Sequence, residues 1–182
     1  MYFDCIIAGF GGQGVMLIGN ILAYAAMAEN KKITYMPVYG VEMRGGTANC
    51  TVVVSDREIG SPVIQRPIST IVMNKPSYDK FAPTVKRGGL IIANENLVPK
   101  NIERVSNAKT LFIPARDLAI EVGSDRLLNM VMLGALVKKS GIISIGSLKK
   151  ALSSAIDERY HSMIPLNSSA IDKGAKFVET DC

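Results

Sequence analysis

Tryptophan is absent from this sequence, histidine occurs once, and aromatic residues make up only 6% of the chain. A core must therefore be aliphatic, built from Val, Ile, Leu, Ala and nine Met. Cysteine is also scarce. Cys5, Cys50 and Cys182 are widely spaced and form no CxxC pair, so the chain cannot supply the four thiolates of an iron–sulfur cluster. Nor do three thiols make a disulfide framework. Cys5 and Cys50 lie in apolar, strand-like runs and read as small buried hydrophobes in a reducing compartment. With a single histidine there is no Ser–His–Asp or Cys–His relay, and no metal-ligand spacing. His161 itself, in Arg159-Tyr160-His161-Ser162, reads as an exposed or capping residue. No apolar run reaches the roughly 18 residues of a membrane span, and no basic segment precedes the strand pattern that starts at Tyr2. The expected location is the cytoplasm. Low-complexity segments and internal repeats are absent too.

What is present is an ordinary globular composition. The 182 residues, 48% hydrophobic and 20% charged, suit one domain spanning 1–182. The formal net charge is +5. Its basic residues are scattered as the pairs Lys31-Lys32, Lys86-Arg87, Lys138-Lys139 and Lys149-Lys150, without the run or stripe of a nucleic-acid binder. They read as solvated surface, with a mild attraction for acidic partners or phosphorylated ligands.

Periodicity gives the outline. Phe3 to Phe10 is a short apolar run ending in glycine, a buried strand. Gln13 to Glu29 is apolar on nearly every side, a buried helix. Ile33 to Val38 is a second strand, and strand–loop–helix–strand order favours a parallel pair. Thr47 to Val54 is β-branched and strand-like; after the turn residues 55–58, Ile59 to Ile64 is a candidate hairpin partner. Further strands are expected at Ile68–Met73, Gly89–Ala93 and Thr110–Ile113, and helices at Pro76–Val85, Arg126–Lys139 and around Leu148–Ile156. Asn167 is placed to cap a final helix running to Val178. The expected fold class is a three-layer α/β/α domain with a mostly parallel, partly mixed sheet.

Two loops carry chemistry. Gly9-Phe10-Gly11-Gly12-Gln13-Gly14 fits GxGxxG between a strand and a helix. Glycines allow positive φ and close approach of a ligand to the backbone, and a helix N-terminus offers free N–H groups and a positive dipole end. The ligand-binding residues of this reading are Gly9, Gly11, Gly12, Gln13 and Gly14, holding a phosphate or carboxylate; the alternative is a tight turn that packs the helix on the strand. A dinucleotide site also needs an acid at the end of the second strand. That strand ends Met36-Pro37-Val38-Tyr39, which disfavours an autonomous NAD(P)-binding module or small dehydrogenase.

The second loop, Tyr39-Gly40-Val41-Glu42-Met43-Arg44-Gly45-Gly46, follows a strand end, where open α/β sheets form their ligand crevice. Tyr39, Gly40, Glu42, Arg44, Gly45 and Gly46 are its candidate rim or interface residues. Arg44 can pair a carboxylate or phosphate bidentately; the alternative is a local Glu42–Arg44 ion pair. The succession GFGGQG, then YGVEMRGGTANCTVVVSDREIGSPVI, then Asn129-Met130, Leu133-Gly134-Ala135, Asn167, Ala170 and Gly174, resembles the gamma subunit of 2-oxoacid:ferredoxin oxidoreductases from Phe3 to the C-terminus. The 2-oxoglutarate and 2-oxoisovalerate branches resemble it more than the indolepyruvate branch does. The resemblance implies an enzyme that converts a 2-oxoacid, 2-oxoglutarate first among them, and coenzyme A to acyl-CoA and CO2, passing electrons to ferredoxin. It implies thiamine diphosphate and iron–sulfur clusters in partner subunits, namely alpha, beta and ferredoxin-like delta chains, and no cofactor held by this chain alone. It further implies a subunit that is inactive by itself, helps receive coenzyme A and completes the active-site side of the complex.

Overall fold

The structure, a computed structural model, describes residues 1–39 and 47–180. Six strands, β1 (Tyr2–Phe10), β2 (Lys32–Tyr39), β3 (Thr47–Ser55), β4 (Ser69–Val72), β5 (Gly89–Asn94) and β6 (Ala108–Ile113), form one sheet in the order β2-β3-β1-β4-β5-β6. The pairs β1–β4, β4–β5 and β5–β6 are parallel, and β3 is antiparallel to both β1 and β2. The helices are α1 (Val15–Ala28), α2 (Lys75–Phe81), α3 (Ala115–Val122), α4 (Leu128–Ser140), α5 (Ile145–Ala155) and α6 (Ile164–Thr180). The α/β/α layering and mixed sheet are as expected.

The outer layers are unequal. One face of the sheet, carrying Cys5, Ile7, Val52, Val54, Ile71, Ile92 and Ile113, packs under α1 and α4 in a large aliphatic core. On these, α5 stacks over α1, and α6 over α4. The apolar stretch of α4 buries nine consecutive residues, Asn129 to Val137, because it lies between sheet and helix. The other face has a smaller cluster, Val72, Ile91, Ala93 and Phe112 with Tyr78, Ala82, Val85 and Val98. Here Asn74 caps α2 by accepting a bond from the Ser77 N–H at 2.9 Å, with Pro76 in the first turn.

Three expectations are corrected. First, β1 and β2 are not neighbours: β3 lies between them, antiparallel to each. Its side chains are buried on both faces, which suits an interior position, whereas β2 carries Lys32 and Pro37 and takes the edge. Pro37 lacks an N–H and is tolerated there. Second, Ile59 to Ile64 is not a strand, because both edges of β3 are already paired, with β1 and with β2. Third, Asn167 sits inside α6 and does not cap it; its amide donates to the Met163 carbonyl at 2.7 Å. The chain enters that helix earlier, through a 3-10 segment at 158–163 that Asp157 caps. One helix is additional to those expected: α3, whose Ala115, Leu118, Ala119 and Val122 follow helical spacing and end at Gly123, φ 125°.

Candidate functional site

The glycine loop leaves the carboxyl end of β1 and enters α1. Gly12 has φ 96° and Gly14 φ 72°, both in the left-handed region that favours glycine. Gly9 is needed for a different reason: a Cβ there would lie 2.6 Å from Gln13 Oε1 and 3.0 Å from Met73 Cβ. The loop is braced from within. Gln13 folds back so that its Oε1 accepts the Phe10 N–H at 2.7 Å, and Asn74, which caps α2, donates to the same oxygen at 3.0 Å. Gln13 thus spends its carbonyl on holding the loop against the end of β4, leaving its amide NH2 as the group to offer a ligand.

Gly14 is the N-cap of α1 and supplies no side-chain oxygen, and no acidic residue stands in the first turn. The first N–H groups of α1 are therefore left to a ligand or to solvent. Beside them opens a cleft of about 400 Å³, walled by Gly12, Gln13 and Gly14 on one side and Asp125, Arg126, Leu128 and Asn129 on the other. The second wall is the 3-10 turn 125–127 and the start of α4, so two helix beginnings converge on one space. Asn129, only 6% exposed, presses its amide against the Cα of Gly14, in the space a Cβ would need. Arg126 is exposed, and its guanidinium has no acidic partner among the described residues. Asp125 is directed to Arg116, 3.7 Å away. With the Asp125 carboxylate turned to Arg116, the cleft offers helix N–H groups, one amide and one guanidinium without an acidic partner among the described residues, a donor set for an anion.

The structure brings Gly12, Gln13 and Gly14 into this cleft and keeps Gly9 in the packing beneath it. Tyr39 ends β2 at the same carboxyl edge, paired in register with Ala48, while Thr47 pairs with Phe10. The other residues of the second motif, Gly40, Glu42, Arg44, Gly45 and Gly46, lie outside the described residues. Arg126 and Asn129 were not legible as site residues: both stand in an apolar helical segment, and only the fold carries them to the loop.

The strand beside β1 is β3, which starts with Thr47 and Ala48 at this edge and brings no acid near the loop. Among the described residues, neither β2 nor β3 supplies a ribose-binding carboxylate of the dinucleotide arrangement at this edge. His161 donates from Nε2 to the Ile156 carbonyl, 2.9 Å away, in the role of a cap. Burial pushes the Cys5 thiol up to about 12, and it raises Cys50 as well. No group of three or more His, Cys, Asp or Glu among the described residues could hold a metal ion. No helix among them is long and apolar enough to cross a membrane.

Residues 4–177 match the family model described as pyruvate ferredoxin/flavodoxin oxidoreductase. A ketoisovalerate oxidoreductase subunit VorA from Methanothermobacter marburgensis is 39% identical over 131 residues, which is 72% of this chain and 27% of that protein. A 2-oxoglutarate synthase subunit KorC from Methanocaldococcus jannaschii is 35% identical over 148 residues, 80% of this chain and 79% of that one. Among solved structures, the gamma subunit of a keto/oxoacid ferredoxin oxidoreductase from Geobacter sulfurreducens superposes with a TM-score of 0.83 at 28% identity, covering 98% of this chain and 99% of that one. A chain of the 2-oxoglutarate:ferredoxin oxidoreductase from Magnetococcus marinus shares the fold with a TM-score of 0.86 at 24% identity; this chain spans 31% of it. From its braced glycine loop, its mixed sheet and these likenesses, the chain belongs to the pyruvate ferredoxin/flavodoxin oxidoreductase family, as a domain of the gamma-subunit type.

Proposed function

We propose that this chain is the gamma subunit of a cytoplasmic, multisubunit 2-oxoacid:ferredoxin oxidoreductase that turns a 2-oxoacid, 2-oxoglutarate first, and coenzyme A into acyl-CoA and CO2. Thiamine diphosphate chemistry and iron–sulfur electron transfer belong to the alpha, beta and ferredoxin-like delta partners. The part of this chain is to receive the phosphate groups of coenzyme A and to close the active-site side of the complex.

The observation that carries the reading is the cleft in which the first turn of α1 and Arg126, which has no acidic partner among the described residues, face one space. A phosphate there gains N–H groups already aimed by the helix, plus a charge-assisted bond to a guanidinium. Gln13 and Asn74 keep the loop in shape before the ligand arrives, so little ordering remains to be done on binding. Tyr39, at the end of β2, and residues 40–46 we assign to the rim that meets the partner subunits.

The test is the assembled enzyme with Arg126→Gln. A charge-assisted bond is worth about 1.5–3 kcal/mol, so the KM for coenzyme A should rise about tenfold or more. The 2-oxoacid decarboxylation half-reaction and the melting temperature of the isolated chain should stay as in wild type. Unchanged coenzyme A kinetics in a well-assembled variant would remove this cleft from the site.

A further inference from the structure

The opposite end of the sheet carries a second charged feature, independent of the glycine loop. β1, β4, β5 and β6 begin there, at Tyr2, Ser69, Gly89 and Ala108. Just before β4 and β5 stand Arg66 and Lys86-Arg87, and a cleft of about 300 Å³ opens between them, lined by Arg66, Lys86, Arg87, Asn107 and the 83–85 turn. Three cations and no acid line this cleft. Four cations elsewhere on the surface each have an acid of their own: Lys75 with Asp79, Lys100 with Glu95, Lys149 with Asp172, Lys173 with Glu121.

The buried Asp4 explains how the cluster is held. Its Oδ1 accepts the Ile68 N–H at 2.5 Å, which fixes the turn carrying Arg66. Its Oδ2 accepts no hydrogen bond and lies 3.7 Å from Lys86 Nζ, which also sits 5.9 Å above the Tyr2 ring. Asp4 thus compensates Lys86 and leaves Arg66 and Arg87 without an acidic partner among the described residues. Arg57, after β3 at the same edge, has none either.

We propose that this edge is a docking surface for an acidic protein segment, whose carboxylates pair with Arg66 and Arg87 across the cleft. Two features favour a segment over a small phosphate. Three main-chain N–H groups around the cleft are already spent: Lys86 on the Pro67 carbonyl, Gly88 on Asn107, Gly89 on Lys86. Those three are withdrawn from any nest of successive backbone donors of the kind that holds phosphates. Guanidinium groups spread over two separate loops suit carboxylates carried along a chain.

The probe is a short fluorescent oligoglutamate peptide titrated against the full chain by anisotropy at low and at physiological salt. Arg66→Gln together with Arg87→Gln should weaken binding about tenfold and flatten its salt dependence. The matched double variant Lys150→Gln with Lys176→Gln, which removes the same charge from α5 and α6, should change it less than about twofold. Equal weakening by both double variants would mean only a diffuse positive field. Displacement of the peptide by inorganic phosphate at matched charge would mean a small-anion site, and no binding by the wild-type chain would mean ordinary solvated surface; each of these overturns the proposal. Coenzyme A kinetics are not read here, so the outcome stands apart from the glycine-loop assignment.

Discussion

Gly134→Ala and Gly174→Ala should each destabilise the chain, although both replace a helical glycine by the best helix former. In an unobstructed helix interior the exchange gains about 1 kcal/mol. Here α4 and α6 cross with their backbones in contact. A Cβ on Gly134 would lie 2.9 Å from the Ile171 carbonyl carbon and 3.0 Å from its Cα, with the carbonyl oxygen nearer still. A Cβ on Gly174 would lie 2.7 Å from the Val131 carbonyl carbon, again with the oxygen nearer. The obstacle is main chain in both cases and cannot rotate away, so the helices must part. That opens the seam between Val131, Ala170, Ile171 and Ala175, all buried. Overpacking costs about 1–3 kcal/mol, and a backbone obstacle belongs at the top of that range. Subtracting the propensity gain leaves about 2 kcal/mol of net loss per substitution. For a domain of this size that is a fall in melting temperature of about 4–8 °C. The double variant should lose less than the sum, because the first methyl has already separated the helices. Gly146→Ala is the control: it is exposed on α5 and its nearest atom, Ser144 Oγ, is 3.7 Å away. It should leave stability unchanged or raise it by up to about 1 kcal/mol. Thermal and urea unfolding followed by circular dichroism measure all four. A Gly134→Ala chain that melts at or above wild type would refute the close-crossing argument.

Gly14→Ala meets two penalties, a left-handed φ of 72° and the Asn129 amide, and should cost about 1–3 kcal/mol; adding Asn129→Ala should recover part of it, and strict additivity in unfolding measurements would deny the contact. Asp56 accepts bonds from Lys31 and from the Met1 amino group, which hold its carboxyl down at about 2 against an ordinary 3.8. Its contribution is therefore present above about pH 3.8 and lost as the pH falls towards 2, so melting curves of Asp56→Asn should approach those of wild type across that window; a constant offset would contradict the pairing. Burial raises the Cys5 and Cys50 thiols, so mapped alkylation at pH 8 should find both unreactive in the folded chain and labelled rapidly in denaturant; fast labelling while folded would show that the α1 face opens. The chain purified alone should show no 2-oxoacid- and coenzyme A-dependent reduction of a viologen dye, and turnover without partner chains would overturn the subunit assignment.

Most elements follow from local sequence. The apolar run at Phe3–Phe10 has to be buried wherever it lies, and the all-round apolar α1 and α4 must be interior helices, because a segment without a polar face has no side to give to water. The glycine loop is legible for the same local reason: φ above zero at Gly12 and Gly14 is a property of those residues and their immediate neighbours. That β2 ends Met36-Pro37-Val38-Tyr39, without an acid, is equally readable. α3 is marked by spacing at Ala115, Leu118, Ala119 and Val122, a signal present but short.

What only the tertiary structure decided is which segments meet. β1 and β2 look like a parallel pair until β3, with both faces buried, takes the place between them; strand order depends on competition among distant edges, which no window of sequence contains. The candidate site was half visible in the same way. The loop that presents N–H groups could be read from its glycines, but Arg126 and Asn129 lie in an apolar stretch whose periodicity speaks only of burial. They reach Gly14 because α4 packs between the sheet and α6 at a crossing that Gly134 and Gly174 make close. Local propensity sets what each segment becomes, and packing of the buried faces sets what it stands beside.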